Sequence, residues 1–553
     1  MGKRVGPQRE ARPARGAIPP PAGEMPALQK ALLAIIAVAL LAPMLLSPFG
    51  RDQGVFACAA DVLRRGGALY RDYWDLKPPG VYYLYLLSFT AFGRTMLAPR
   101  LLDLIWTLSA AGVLAAVGAR LLSPRTGLSG ALLFLACYAL GYGYWHSAQA
   151  DGFASLPLAL AVLAMLAAER RRSWWLAAGC GALIGAAIVL KLTLGLFLAL
   201  PLIASVVSRG ERWPLRLARA SGYLAGCAAV VAGAALLLWR QGALRDLIEI
   251  LFVWNSHYAT IRSPAPALLV VAYQTWTFLF GGQYLALKLI GLLAAIGAAD
   301  LVVRRGAAPE PGCGVAPQPP RSWLLPAWLA AMLVQVWIQG KYFQYHWLPV
   351  LPPLGLLAAQ GMAALWRLLR QHVASAAAAR GVAAGGLAVL VLSVAGAYWN
   401  HFRPELRYAA GLVPASEFLG EFRDRSDFSI SADLAVASYL TAHTARGTPI
   451  FIWGFEPIVY FLADRPPASR FISQQPLVAP WSPREWRREL IAALEERRPA
   501  YVLVVHNDAM PWVTMRPYDS ATELAAFPEL VALLARDYQP AVRIEDFDIW
   551  QRR

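Results

Sequence analysis

Apolar runs of about bilayer length recur between residues 28 and 400, and this recurrence constrains the fold more than any other feature. The runs fall at 28–46, 98–121, 126–144, 151–168, 174–190, 192–208, 217–239, 283–303, 323–339, 346–368 and 380–400. Hydrophobic residues make up 58% of the chain and charged residues only 15%, where a soluble domain carries about a quarter. A charge in hydrocarbon costs about 2.5–3.5 kcal/mol on insertion scales, so this shortfall is what a lipid-embedded chain requires. The expectation is a polytopic α-helical membrane protein of about eleven spans.

Arginine clusters between the runs set the expected orientation, because short basic loops stay on the cytoplasmic side. Arg120 with Arg125, Glu169–Arg172, Arg209–Arg219, Arg304 and Arg305 with Arg321, and Arg367–Arg380 form that set. Residues 265–280 are apolar enough to suggest one more span, but counting them would put Arg304 and Arg305 outside. They are therefore read as an interfacial or re-entrant helix. The amino terminus is then inside and the carboxy terminus outside.

Two flanking regions differ in character. Residues 1–26 mix Lys3, Arg4, Arg9, Arg12 and Arg15 with prolines and glycines, a composition that cannot bury a core and reads as a disordered cytoplasmic tail. Residues 27–400 hold the spans. In 401–553 acidic residues become frequent and the apolar runs shorten. TPIFIWG (448–454) and AYVLVVHN (500–507) read as buried strands, and 484–498 and 521–538 as amphipathic helices. That alternation predicts a small extracytoplasmic α/β domain.

The net charge of +17 does not indicate nucleic acid, since the basic residues sit in loop clusters rather than along one stripe. Five scattered cysteines (Cys58, Cys137, Cys180, Cys227, Cys313) offer no disulfide framework or zinc site. No GxGxxG or Walker loop is present, which argues against nucleotide binding.

With this topology the polar residues that break the apolar pattern collect at the outer face. They are Asp52, Lys77 and Tyr82, then His146, Gln149 and Asp151, then Lys191, then Asn255 and His257, and finally Lys341, Tyr345 and His346. Ionisable groups at membrane depth are functional candidates by default. Asp52 suits a general base on an acceptor hydroxyl or amine, or equally a helix cap or solvated loop residue. Asp151 reads as the N-cap of the following helix, or as a group that orients the base or binds a divalent cation with His146 and Gln149. Lys77, Lys191 and Lys341 suit a departing phosphate, or snorkel to headgroups. His346 is either a phosphate donor or part of an interfacial aromatic belt.

The stretch DQGVFACAADVLRRGGALYRDYWDLKPPGVYYLY, with HSAQADGFASLPLALAVLA, GAAIVLKLTLGLFLALPL and QGKYFQYHWLPVLPPLGLLAA, resembles the lipid-linked-sugar glycosyltransferases of the GT-C fold. It is most similar to the bacterial protein O-mannosyltransferase-like and aminoarabinose-transferase-like branches, over roughly residues 28–400. The resemblance implies Asp52 as catalytic base, Asp151 as a second acidic position, and Lys77, Lys341 and His346 around a polyprenyl-phosphate sugar donor. It further implies inversion at the anomeric carbon, a glycan, lipid or protein acceptor, and a multi-pass place in a bacterial plasma membrane. Where the family often has Asp-Glu, this chain has Asp52-Gln53, so the second carboxylate is absent. The rival expectation from another class is a transporter or flippase of lipid-linked intermediates. A membrane scaffold with a partner-binding outer domain is a third.

Overall fold

The computed structural model describes residues 27–141, 143–207, 211–261, 266–306, 321–424 and 428–553. The amino-terminal tail 1–26 lies outside the described residues. The protein is a mostly helical membrane protein with a small carboxy-terminal sheet. Every one of the expected apolar runs is helical. They form α1 (Ala27–Leu41), α4 (Leu97–Leu121), α5 (Pro124–Leu140) and α6 (Ser155–Arg171, preceded by a turn at Ala150–Phe153). The helices α7 (Trp174–Leu190), α8 (Trp213–Arg240), α10 (Leu285–Gly306), α11 (Leu324–Gln339), α12 (Leu351–His372) and α13 (Ala376–His401) follow, with the run 192–207 split between a 3₁₀ turn and Ala199–Val207. Two shorter helices, α2 (Arg51–Arg64) and α3 (Gly80–Phe92), fill the first long loop, and α9 (Ala267–Phe280) is the ambiguous 265–280 segment. By length and composition, six of the described helices could each cross a membrane.

Lipid supplies no hydrophobic drive for helices to associate, so close backbone contact has to do it. Glycines provide that contact. Gly181 and Gly185 on α7 face Gly222 and Gly226 on α8, two GxxxG pairs. A Cβ on Gly226 would sit 1.8 Å from the Ala178 carbonyl, and one on Gly181 would sit 2.0 Å from that of Tyr223. The same device joins α10 to α12, where a Cβ on Gly297 would meet the Leu357 carbonyl at 1.9 Å and one on Gly361 the Leu293 carbonyl at 2.0 Å. Charges at one end of the bundle are neutralised within the protein. Asp300 accepts from Arg304 and Arg367, both at 2.8 Å, and from Gln360 at 2.7 Å. Arg321 reaches Glu169 at 2.9 Å.

The carboxy-terminal domain carries a four-stranded sheet of β1 (Ile450–Trp453), β2 (Tyr501–Val505), β3 (Tyr538–Ile544) and β4 (Phe547–Arg552), in the order β1-β2-β4-β3. β1 and β2 pair in parallel (Ile450 opposite Tyr501), and the β3–β4 hairpin adds antiparallel to β2. Both parallel strands are apolar throughout and fully buried, as expected of strands covered on two faces. The region 521–538, expected as one helix, is two, Ser520–Leu524 and Pro528–Asp537. Pro528 has no N–H to continue the first helix and sits comfortably in the opening turn of the second. The final hairpin has little alternation on β3, most of whose residues are exposed, and this hid it from pattern reading.

The domain docks on the loop between α2 and α3. Trp74 packs edge-on against Trp254 at 4.9 Å and Trp486 at 5.9 Å, the Trp74 amide donates to the Arg470 carbonyl at 2.8 Å, and Trp254 Nε1 donates to Ser482 Oγ at 2.9 Å. Gly226→Leu and Gly297→Leu are expected to lower the thermal midpoint of the detergent-solubilised protein by an amount corresponding to at least about 1–3 kcal/mol of overpacking. Gly233→Leu on α8, where a Cβ meets nothing within 4 Å, should leave it unchanged.

Candidate active site

The site begins at the first turn of α2. Gly50 precedes the helix, and the Gln53 side chain accepts from the Gly50 amide at 2.9 Å. The Gln53 Nε2 lies within hydrogen-bonding distance of three carbonyls, those of Tyr144 (3.1 Å), Trp145 (2.9 Å) and Ser147 (2.9 Å), among which its two N–H groups are shared. This fully buried amide ties the helix start to the loop that carries His146 and Gln149. Only an amide can accept and donate in this way, so a glutamate at 53 would place negative charge against three acceptors. The departure from Asp-Glu therefore has a structural reason here. Gly54 is pressed on the backbone of Ile458 in the carboxy-terminal domain, where a Cβ would meet Ile458 Cβ at 2.7 Å.

Asp52 occupies the first turn of α2, where the helix dipole favours an anion. Its Oδ2 accepts from Lys77 Nζ at 2.8 Å and from Gln149 Nε2 at 3.3 Å. A second pair lies beside it. Lys191 Nζ donates to Asp151 Oδ1 at 2.6 Å, with the Asp151 side chain only 2% exposed. Both ammonium groups lie over one ring: Lys77 Nζ is 5.1 Å and Lys191 Nζ 5.6 Å from the centroid of Tyr345. Two carboxylates, two lysines and one phenol from five chain segments thus meet at one end of the bundle.

A cavity of about 250 Å³ opens here, lined by Lys77, Asp151, Lys191, Asn255, Lys341 and Tyr345 together with His346 and Tyr258. Lys341 Nζ donates to the Ile261 carbonyl at 2.9 Å and lies 3.9 Å over the Tyr258 ring. The Tyr82 hydroxyl donates to Asp75 Oδ2 at 2.5 Å, below the loop that presents Lys77. The His146 ring lies 6.3 Å from that of Tyr345, and burial pushes its imidazole down to about 4. His257 is not brought in: it is exposed, with Nδ1 3.0 Å from the Val253 carbonyl one turn earlier. Each carboxylate has a lysine rather than a second acid for a partner. Among the described residues no three His, Cys, Asp or Glu side chains converge as a metal would need. The donor set around Asp151 does not fit a divalent cation.

Residues 76–239 match the family model described as dolichyl-phosphate-mannose-protein mannosyltransferase. The structure is similar to that of ArnT from Cupriavidus metallidurans bound to undecaprenyl phosphate, with a TM-score of 0.60 and 14% identity, covering 95% of this chain and 98% of that one. This chain has the fold of that ArnT structure. The apo state of the same ArnT gives 0.59 at 14% identity over the same shares of both chains. A fainter likeness, at a TM-score of 0.45 and 11% identity over 96% of this chain and 75% of that one, links it to the oligosaccharyltransferase AglB from Archaeoglobus fulgidus. No curated protein sequence matches it. The family-model segment takes in Lys77, Asp151 and Lys191.

Sequence reading missed four members of this site. Asp75, two residues before Lys77, accepts from Tyr82 and from the Leu76 amide, and desolvation raises its carboxyl above the ordinary range. Its signal was present in WDLKPPG, as a second charge in a short aromatic loop. Arg51, next to Asp52, donates through Nε (2.9 Å) and Nη2 (2.6 Å) to Glu456 Oε1, with both side chains about 5% exposed or less. Beside them Asp433 is 1% exposed, and neither of its oxygens has a hydrogen-bond partner among the described residues. Arg51 and Glu456 are 405 residues apart, so no local pattern could have joined them.

Burial raises the carboxyls of Glu456 and Asp433, outweighing the pull of Arg51. The folded protein therefore holds protons that the unfolded chain releases above about pH 4, and stability falls as pH rises toward the raised folded values. Asp433→Asn is expected to raise the thermal midpoint at pH 7–8 and flatten its decline with pH, read by melting curves across that range. Gln53→Glu should lower the midpoint by about 1–3 kcal/mol or more, since it replaces donors to buried carbonyls with charge. Gln53→Ala should cost less per lost contact than the glutamate does.

Proposed function

We propose that this chain is a GT-C-fold membrane glycosyltransferase that moves a sugar from a polyprenyl-phosphate donor to an extracytoplasmic acceptor, with Asp52 as general base. The observation that carries the reading is the meeting of Lys77–Asp52 and Lys191–Asp151 around Tyr345. Lysines paired with carboxylates in a partly closed cavity are charges held ready, at little cost, for an incoming phosphate. The donor phosphate takes up Lys77, with Lys191 and Lys341 beside it, and Asp52 is thereby released to face the acceptor.

The acceptor O–H then gives its proton to Asp52, and its oxygen bonds to the anomeric carbon from the face opposite the phosphate. The bond between that carbon and the phosphate oxygen breaks, and polyprenyl phosphate leaves with the electron pair, its charge met by the lysines. Inversion follows from this in-line geometry. ArnT, the neighbour in structure, is described bound to undecaprenyl phosphate, which supports a lipid phosphate as leaving group. For orientation, Arg120, Arg170–Arg172, Arg304 and Arg367 stand at helix ends away from the cavity, on α4, α6, α10 and α12. That supports an amino terminus in the cytoplasm and a site facing the exterior of a bacterial plasma membrane.

Asp52→Asn should cut turnover by about 10²–10⁴-fold with little change in donor KM, the span expected for loss of a general base. The assay supplies polyprenyl-phosphate sugars to the purified protein in nanodiscs. Retained turnover in that variant would sink the role of Asp52. Lys77→Met should instead raise donor KM as well as lower kcat.

A further inference from the structure

A second cavity, of about 500 Å³, lies on the other side of the segment 341–347 from the first. That segment is a shared wall. Lys341, Phe343 and Tyr345 line the cavity of lysines and carboxylates, whereas Tyr342, Gln344 and Trp347 line the second. Side chains of this one short segment, a strap that passes from a left-handed turn at Tyr342 into the 3₁₀ helix Gln344–Val350, thus serve two compartments. Tyr342 holds a left-handed backbone (φ 54), and Gly340 before it is also left-handed (φ 65), so the strap's course is set by local geometry that an ordinary loop would avoid.

The two compartments differ in chemistry. The first holds Lys77, Asp151, Lys191 and Lys341; among the described residues the second is lined by no Lys, Arg, Asp or Glu. Its polar groups are the amides of Gln274, Gln283 and Gln344, the hydroxyls of Thr277 and Tyr342, and the His401 ring. Amides and hydroxyls both donate and accept, which matches sugar hydroxyls and offers a phosphate no positive charge to balance its own. Trp347, stacked on Phe278 with centroids 4.4 Å apart, adds an aromatic surface. Leu287, Leu351 and Leu354 make the rest of the lining apolar. The volume lies within the range of about 300–1,000 Å³ usual for small-molecule sites.

A second loop is shared as well. Gly141 and Gly143 border this cavity, and six residues on Gln149 bonds to Asp52. A group seated there lies across one wall from the donor compartment and along one loop from the base.

We propose that this cavity is the acceptor subsite and binds an uncharged, hydroxyl-rich glycan headgroup. The inference rests on the transferase reading above and adds the class of acceptor. Membrane-borne glycolipid and free glycan share the recognising chemistry, and the experiment separates them.

The test uses the full chain in nanodiscs, with cysteine at one position at a time: Gln274→Cys and Gln344→Cys in the second cavity, Thr193→Cys in the first. Labelling by an uncharged maleimide is timed against the parent protein. Glucosyl- or galactosyl-diacylglycerol at about ten times its dissociation constant should slow labelling at 274 and 344 about tenfold and leave 193 unchanged. Undecaprenyl phosphate should do the reverse. Phosphatidylglycerol with the same acyl chains should protect neither. Protection by free methyl glucoside too would assign the acceptor to a free glycan, and protection by the glycolipid alone to a membrane-borne one. Protection of 193 by undecaprenyl phosphate, with no sugar-dependent protection at 274 or 344, overturns this inference and leaves the donor site standing. Failure of undecaprenyl phosphate to protect 193 overturns the donor reading itself. Equal protection by phosphatidylglycerol shows a lipid crevice without sugar selectivity and also overturns the inference.

Discussion

A buried glutamine amide holds the site together. Gln53 closes the first turn of α2 on Gly50 and at the same time shares its two N–H groups among three carbonyls of the Tyr144–Ser147 loop. Buried carbonyls left without donors cost about 1–3 kcal/mol each, so the loop and helix have one low-energy way to meet. That meeting fixes Asp52 in front of Lys77 and Gln149. It also explains why the position beside the candidate base is neutral: its work is to donate, which a carboxylate cannot do.

The carboxy-terminal domain is part of the same construction. Ile458 sits on Gly54, Glu456 takes Arg51, and Trp481 and Trp486 close over Trp74 and Trp254. The loop carrying Asp75 and Lys77 is thereby held between membrane bundle and domain. A buried contact such as that between Arg51 and Glu456 is a poor source of net stability, because desolvation consumes much of its attraction. Its orientation is specific, however, and it anchors the residue immediately before Asp52. Asp433 alongside, buried without a hydrogen-bond partner among the described residues, is a standing cost that the fold carries at this junction.

Charge is divided between compartments by a strap only a few residues wide. On one side ammonium groups pair with carboxylates around Tyr345; on the other, amides and hydroxyls face an uncharged space. Low dielectric lengthens the reach of each charge, and the pairing of Lys77 with Asp52 and of Lys191 with Asp151 is what confines it. A transferase that must hold an anionic lipid phosphate and a neutral nucleophile within reach of one carbon benefits from that separation.

The membrane class, the helical runs and the short parallel strands were legible in the sequence because each depends on local composition: hydrocarbon excludes charge and unpaired backbone, and a buried strand must be apolar throughout. Asp52, Lys77, Asp151 and Lys191 were also legible, as polar residues with no place in an apolar pattern. What sequence could not give was their partners. Lys77 with Asp52, Lys191 with Asp151 and Arg51 with Glu456 are separated by 25, 40 and 405 residues, and only packing brings them together. His257 shows the converse: the same residue type in a neighbouring loop, left exposed because its helix turns that face away from the cavity. Periodicity records which face of a segment is buried, but the choice of what it is buried against belongs to the tertiary structure.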